Sequence, residues 1–172
     1  MAATRLGARV AFIARVGADR RGREVVKSLK EEGVATKFIV RDDTDHTGVA
    51  LVLVGGNGEK QILSVPGAND ELSVEQVRRA GSAIQSARVL LTQLEVPLET
   101  LLLASRLTRE AGAKVLLDPS PPTALPDELM QRLWREVRHD SREVWRFQQA
   151  RDGISDGALT GGGNGRPSFF AK

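Results

Sequence analysis

Residues 89–95 read Val-Leu-Leu-Thr-Gln-Leu-Glu, and Val96-Pro97 follow at once. A short apolar run closed by a proline, which restricts the residue before it, has the pattern of a buried strand leading into a helix. The pattern predicts a helix from Pro97 to Glu110, a stop at Gly112 and a second buried strand, Lys-Val-Leu-Leu, over residues 114–117. Strand, helix and strand with connections this short imply a right-handed crossover and a parallel pair.

Working upstream, the run RVAFIARV over residues 9–16 suits another buried strand. Asp19 is placed to cap a helix reaching Glu32, with Val25, Val26 and Leu29 on one face and Gly33 as its end. Ser73 and Gln76 have capping-box spacing, Leu72 and Val77 staple spacing, and the helix they open should run to about Ser86. Between these helices lie three β segments in succession, residues 37–41, 48–54 and 60–65. The last two are joined by Gly55-Gly56-Asn57-Gly58, a strong hairpin signal. We read residues 37–65 as a small antiparallel flap on an α/β domain with a partial parallel sheet and flanking helices. After Val65, Gly67-Ala68-Asn69 marks a sharp exit, with Asn69 able to take a left-handed conformation.

Composition narrows the classes. The chain has 172 residues, room for one domain with a core, and no cysteine, which excludes disulfide scaffolds and thiolate chemistry. No apolar stretch is long enough to cross a membrane as a helix. An arginine interrupts each short apolar run near the start, a poor secretory leader, and the expected setting is the cytoplasm. The net charge is only +3, and the basic pI reflects 19 Arg against 6 Lys. Basic residues are not gathered into one field, which weighs against nucleic acid as a partner.

Several motifs have bland alternatives. Residues 17–24, GADRRGRE, have phosphate-loop glycine spacing, but Arg23 and Glu24 stand where Lys and Ser or Thr are needed, so a turn and helix cap is favoured. Residues 42–46, DDTDH, cannot all converge on one ion, and a solvated loop is favoured. His139-Asp140-Ser141 has the letters of a triad only as sequence neighbours, which is chance. Glu95 closes a buried parallel strand, at the edge where open α/β sheets bind ligands, and its carboxylate suits the hydroxyls of a sugar. The alternative is a carboxylate favoured by the dipole of the helix that follows. Asp118-Pro119-Ser120-Pro121 leaves the next strand at that edge, as a pocket wall or a rigid exit.

The segments RLGARVAFIARVGADRRG, TGVALVLVGGNGEKQILSVPGAND, ARVLLTQLEVPLE and KVLLDPSPPTALPDEL occur in order. Together they resemble the front half of the ribokinase-like, phosphofructokinase-B type carbohydrate kinases, from about Ala3 to Leu129. The resemblance implies a β lid over residues 37–65 that covers the sugar and pairs with another subunit's lid. It also implies transfer of the ATP γ-phosphate to a pentose-type sugar, D-ribose first, with magnesium and often a monovalent cation. Glu95 would contact the sugar, and Thr47, Gly48 and Val49 would lie near it.

Other family segments are absent from these 172 residues. They are the first core strand with its sugar-binding Asp and Gly-Gly-Lys-Gly, the Asn-x-x-Glu motif, and the Asp-Thr-x-Gly-Ala-Gly-Asp motif that supplies the base. No catalytic, ATP-binding or metal-binding residue is therefore assigned, and the chain alone is expected to be inactive. Residues 1–131 make up the partial domain, and residues 132–172 an arginine-rich helix and glycine-rich tail that resembles nothing in the family. The alternatives are a non-catalytic protein that joins a full-length kinase through the lid, or an RNA-binding module. The second would use the six arginines of residues 132–151 with Trp134, Trp145 and Phe147.

Overall fold

The structure, a computed structural model, describes residues 1–118 together with 120 and 121. A one-turn helix α1 (Ala2–Arg5) precedes β1 (Ala11–Gly17), α2 (Arg20–Glu31) and β2 (Ala35–Asp42). The hairpin β3 (Val49–Val54) and β4 (Lys60–Val65) follows, then a 3-10 turn over Gly67–Glu71. Helices α3 (Val74–Arg79) and α4 (Gly81–Ser86) lead to β5 (Val89–Thr92), α5 (Leu98–Glu110) and β6 (Lys114–Leu117). The triad letters at 139–141 and the proposed tail of 132–172 lie outside the described residues.

Local chemistry sets most boundaries. The Asp19 side chain accepts a hydrogen bond from the Gly22 N–H at the start of α2, and Gly33, at φ +77°, leads out of the helix. The capping box is formed both ways between Ser73 and Gln76, and Leu72 and Val77 are both buried. The helix predicted to run to Ser86 is interrupted at Ala80, whose φ of −86° and ψ of 2° separate α3 from α4. On α2, Val26 is buried while Val25, one position round the helix, is exposed.

β1 pairs with β2 and β5 with β6, both in parallel, while β3 and β4 pair antiparallel. This corrects the extent of the flap. Residues 37–41 belong to β2, which returns through α2 to lie beside β1, with Ile13 opposite Phe38 and Val16 opposite Arg41. The physical reason is that Phe38 has an apolar partner in the body, packing with Ile13 against a cluster of Val77, Ala80, Ile84 and Leu103. Only the ribbon β3–β4 projects. Its tip is closed by Gly58, at φ +83°, whose N–H donates to the Gly55 carbonyl.

The second core cluster joins Leu101 of α5 to Val115 and Leu117 of β6, with Leu90 and Leu94 against it. The opposite face of the β5–β6 pair carries Val89 and Leu91, both exposed. The ribbon is apolar on both sides, with Leu51, Val52, Ile62 and Leu63 all exposed.

Leu101 is 2% exposed and Leu63 61% exposed, so truncation should separate them cleanly. Leu101→Ala should cost about 2–5 kcal/mol in urea unfolding. Leu63→Ala should stay within about 0.5 kcal/mol of wild type.

Candidate functional site

The root of the ribbon is built on the end of β1. The Thr47 hydroxyl donates to Asp19 Oδ1 at 2.7 Å, and the Thr47 N–H donates to Oδ2 at 2.9 Å. The Gly17 N–H in turn donates to Thr47 Oγ1 at 3.0 Å. Asp19 Oδ1 also accepts from the Gly22 N–H at 2.7 Å, so one carboxylate serves both the cap of α2 and the entry to β3. Two glycines allow the approach. A Cβ on Gly17 would lie 2.5 Å from the Thr47 nitrogen, and one on Gly22 2.8 Å from Thr47 Oγ1. The glycine spacing that mimics a phosphate loop is thus a strand exit and a capped helix start, as the mismatch at Arg23 and Glu24 indicates.

The preceding loop is less solvated than its sequence suggests. Asp42 is buried at the end of β2, where Oδ2 accepts from Arg15 Nε at 2.6 Å. Its Oδ1 accepts from the Thr44 N–H at 2.8 Å, the Thr44 hydroxyl at 2.7 Å and the Asp45 N–H at 3.1 Å. The His46 carbonyl accepts from the Ala68 N–H at 2.9 Å, and its ring Nδ1 lies 3.0 Å from the Thr47 carbonyl. A carbonyl only accepts, so that bond places the proton on Nδ1. A Cβ on Gly48 would meet the Pro66 carbonyl at 2.6 Å and Asn69 Nδ2 at 2.8 Å. The two legs of the ribbon therefore touch at its root. Among the described residues no group of three His, Asp or Glu side chains is placed to hold a metal ion.

Glu95 stands just beyond the carboxyl end of β5. The Gln93 side chain holds it from both directions: Nε2 donates to Glu95 Oε2 at 3.3 Å, and Oε1 accepts from the Glu95 N–H. The loop is also tied to the exit of β6. The Leu94 N–H donates to the Ser120 carbonyl at 3.0 Å, and the Asp118 N–H to the Thr92 carbonyl at 2.8 Å. The acid in the first turn of α5 is Glu99; Glu95 lies two residues before the Pro97 cap. The dipole effect falls off within the first turn, which weakens the helix-start alternative for Glu95. Its carboxylate is exposed and can accept hydrogen bonds from outside.

Thr47, Gly48 and Val49 thus form one contiguous root, and Glu95 sits at the end of the other strand pair. Each group lies at the carboxyl end of its own parallel pair. Thr47 is 6% exposed, and its hydroxyl faces Asp19 and Gly17. Sequence reading placed Asp19 as a cap and missed its second role, because Thr47 lies 28 residues away and no spacing rule reaches that far.

These bonds carry a pH signature. Hydrogen bonds from the Gly22 and Thr47 N–H groups, then the Thr47 hydroxyl, hold the Asp19 carboxyl down to about 2. The Thr44 hydroxyl and N–H, then Arg15, hold Asp42 well below the usual carboxylate range. Both are depressed from an unfolded value of about 3.9, so their stabilisation is complete above that pH and is lost as pH falls through the folded values. The melting temperature should fall from about pH 4 towards pH 2, and Asp19→Asn should flatten part of that fall in a series of thermal melts.

Comparison with known proteins places this geometry. Residues 1–138 match the pfkB family carbohydrate kinase profile. A ribokinase of Haemophilus influenzae is 38% identical over 130 residues, 76% of this chain and 42% of the relative. A mouse ribokinase is 35% identical over 122 residues, 71% of this chain and 38% of the relative. A fructokinase from Xylella fastidiosa, solved with bound ATP, superposes with a TM-score of 0.70 at 25% identity, covering 88% of this chain and 52% of that one. The chain thus spans about two fifths of the length of these two ribokinases. With four fifths of its residues inside the family profile, and with parallel strands, helices and an antiparallel ribbon in place, the chain belongs to the pfkB family of carbohydrate kinases.

Proposed function

We propose that this chain forms the sugar-facing part of a ribokinase-like kinase. It would bind a pentose-type sugar, D-ribose first, between Glu95 and the lid, in the cytoplasm. The observation that carries the reading is the Glu95 carboxylate, held by Gln93 beyond the end of β5 and outside the first turn of α5. Two exposed acceptor oxygens suit vicinal hydroxyls, and the carboxyl ends of parallel strands are where such sheets take ligands. The Haemophilus and mouse relatives are ribokinases, which supports the choice of sugar. Gly48 and Val49 would line the lid side, with Thr47 holding them in place. ATP, magnesium and a monovalent cation, which the resemblance implies for the intact family, are assigned no residue among those described.

By itself the chain should bind D-ribose weakly and not phosphorylate it. Calorimetric titration should give a millimolar dissociation constant, roughly −4 kcal/mol. Glu95→Ala should weaken binding at least about tenfold, the loss of one or two charge-assisted hydrogen bonds, with circular dichroism unchanged. Ribose affinity unaffected by Glu95→Ala, or ATP-dependent turnover by the purified chain, would refute this assignment.

A second reading, a lid-mediated binding partner of a full-length kinase, draws on the ribbon. In its register Val49 lies opposite Val65 and Leu51 opposite Leu63, while Val52 and Ile62 occupy the other face. A ribbon apolar on both faces exposes more apolar surface than one small ligand would cover, which supports self-association. Replacing Val49 and Leu51 with glutamate should shift the sedimentation profile towards monomer. A wild-type chain that stays monomeric at tens of micromolar, on the order of a modest interface's affinity, would count against it.

A further inference from the structure

The Asp19 carboxylate joins two things that sequence keeps apart: the first turn of α2 and the root of the ribbon. Its Oδ1 accepts from the Gly22 N–H and the Thr47 hydroxyl, and its Oδ2 accepts from the Thr47 N–H. A side chain on Gly17 or Gly22 would force this junction to shift, since a Cβ would lie 2.5 Å from the Thr47 nitrogen or closer still to the Gly17 carbonyl oxygen. From Thr47 the constraint passes into both legs. The Thr47 carbonyl accepts from His46 Nδ1, and a Cβ on Gly67 would lie 2.5 Å from that same ring nitrogen. The His46 carbonyl accepts from the Ala68 N–H, and Gly48 sits against Pro66 and Asn69. We infer that Asp19 is a positioning residue for the lid: through Thr47 it pins the two legs of the β3–β4 ribbon to the rigid start of α2, and so sets the attitude of the ribbon over the ends of the strands.

A capping role and a pinning role separate chemically. Asparagine caps helices as well as aspartate does. In Asp19→Asn, Oδ1 can still accept from Gly22 and from the Thr47 hydroxyl. The amide nitrogen, however, replaces Oδ2 and presents a donor to the Thr47 N–H, which is itself a donor. A residue that only caps is indifferent to this exchange, and a residue that pins the ribbon is not.

The inference rests on reading the ribbon as a lid, but its test needs no sugar. Amide hydrogen exchange followed by NMR on the full chain reports each bond. In Asp19→Asn, the Thr47, Gly17 and Ala68 amides should exchange about tenfold faster or more, the equivalent of a lost hydrogen bond to a charged group. The Gly22 amide and the Leu94 and Asp118 amides at the ends of β5 and β6 should keep their wild-type rates. Thr47→Val should speed the same three hinge amides, and Thr47→Ser should leave them near wild type. Uniform acceleration across all these amides would show a purely structural residue and overturn the inference, as would unchanged hinge amides. If Asp19→Asn does not fold, the Thr47 pair decides: equal exchange in the Val and Ser variants overturns the inference, and loss in Val with retention in Ser upholds it. Should ribose binding fail while the hinge amides respond as expected, the sugar assignment falls and the positioning role stands.

Discussion

The ionised carboxylate of Asp19 takes three hydrogen bonds, two of them from backbone amides whose positions are fixed by different parts of the chain. One is at the start of a helix, where the orphan N–H groups need an acceptor in any case. The other opens the ribbon, a two-stranded hairpin of a kind that is only marginally stable in isolation. Placing both on one carboxylate lets the helix lend its rigidity to the hairpin. The cost appears in sequence as Gly17 and Gly22, positions where any side chain would push the two elements apart.

Much of this architecture can be read locally. The Ser73–Gln76 box, the turn at residues 55–58, and the glycines at 33 and 112 act over four or five residues, and each boundary they imply is found within a residue or two. The misreadings have the opposite character. Residues 37–41 look like the first of three consecutive β segments, and only their partner shows that they belong beside β1. The break at Ala80 separates two helices that periodicity alone joins. Asp42 sits in what reads as a polar loop, yet it is buried because Arg15, 27 residues away, meets it.

For the site the division is the same. Glu95 is legible because a strand end and a proline bracket it, and its position beyond β5 follows from those two signals. What local chemistry cannot supply is any link between the Glu95 loop and the ribbon, and only the family resemblance implies that the two would serve one ligand. The use of the Thr47 hydroxyl was not legible. A threonine before a glycine at the entrance to a strand has no spacing rule linking it to an aspartate near a distant helix cap.

What unites the two halves of the site is α5. Leu101 packs against Val115 and Leu117 under β5–β6, and Leu103 joins the cluster of α3 and α4 that receives Ile13 and Phe38 from β1–β2. Two residues along a helix correspond to about 200° of rotation, so these leucines point to nearly opposite sides. A helix gripped from both sides need not show a single apolar stripe, and the other positions it buries are small and polar. Thr100 and Thr108 are buried with their hydroxyls donating back to the Pro97 and Ala104 carbonyls, which lets them pack without an unmet donor. No ladder is formed between the two strand pairs among the described residues, and α5 contributes to the clusters packed against both. Glu95 is carried by the loop that starts α5, and the ribbon root by the pair that Leu103 supports, so the same helix holds the two segments that the proposed sugar site would use.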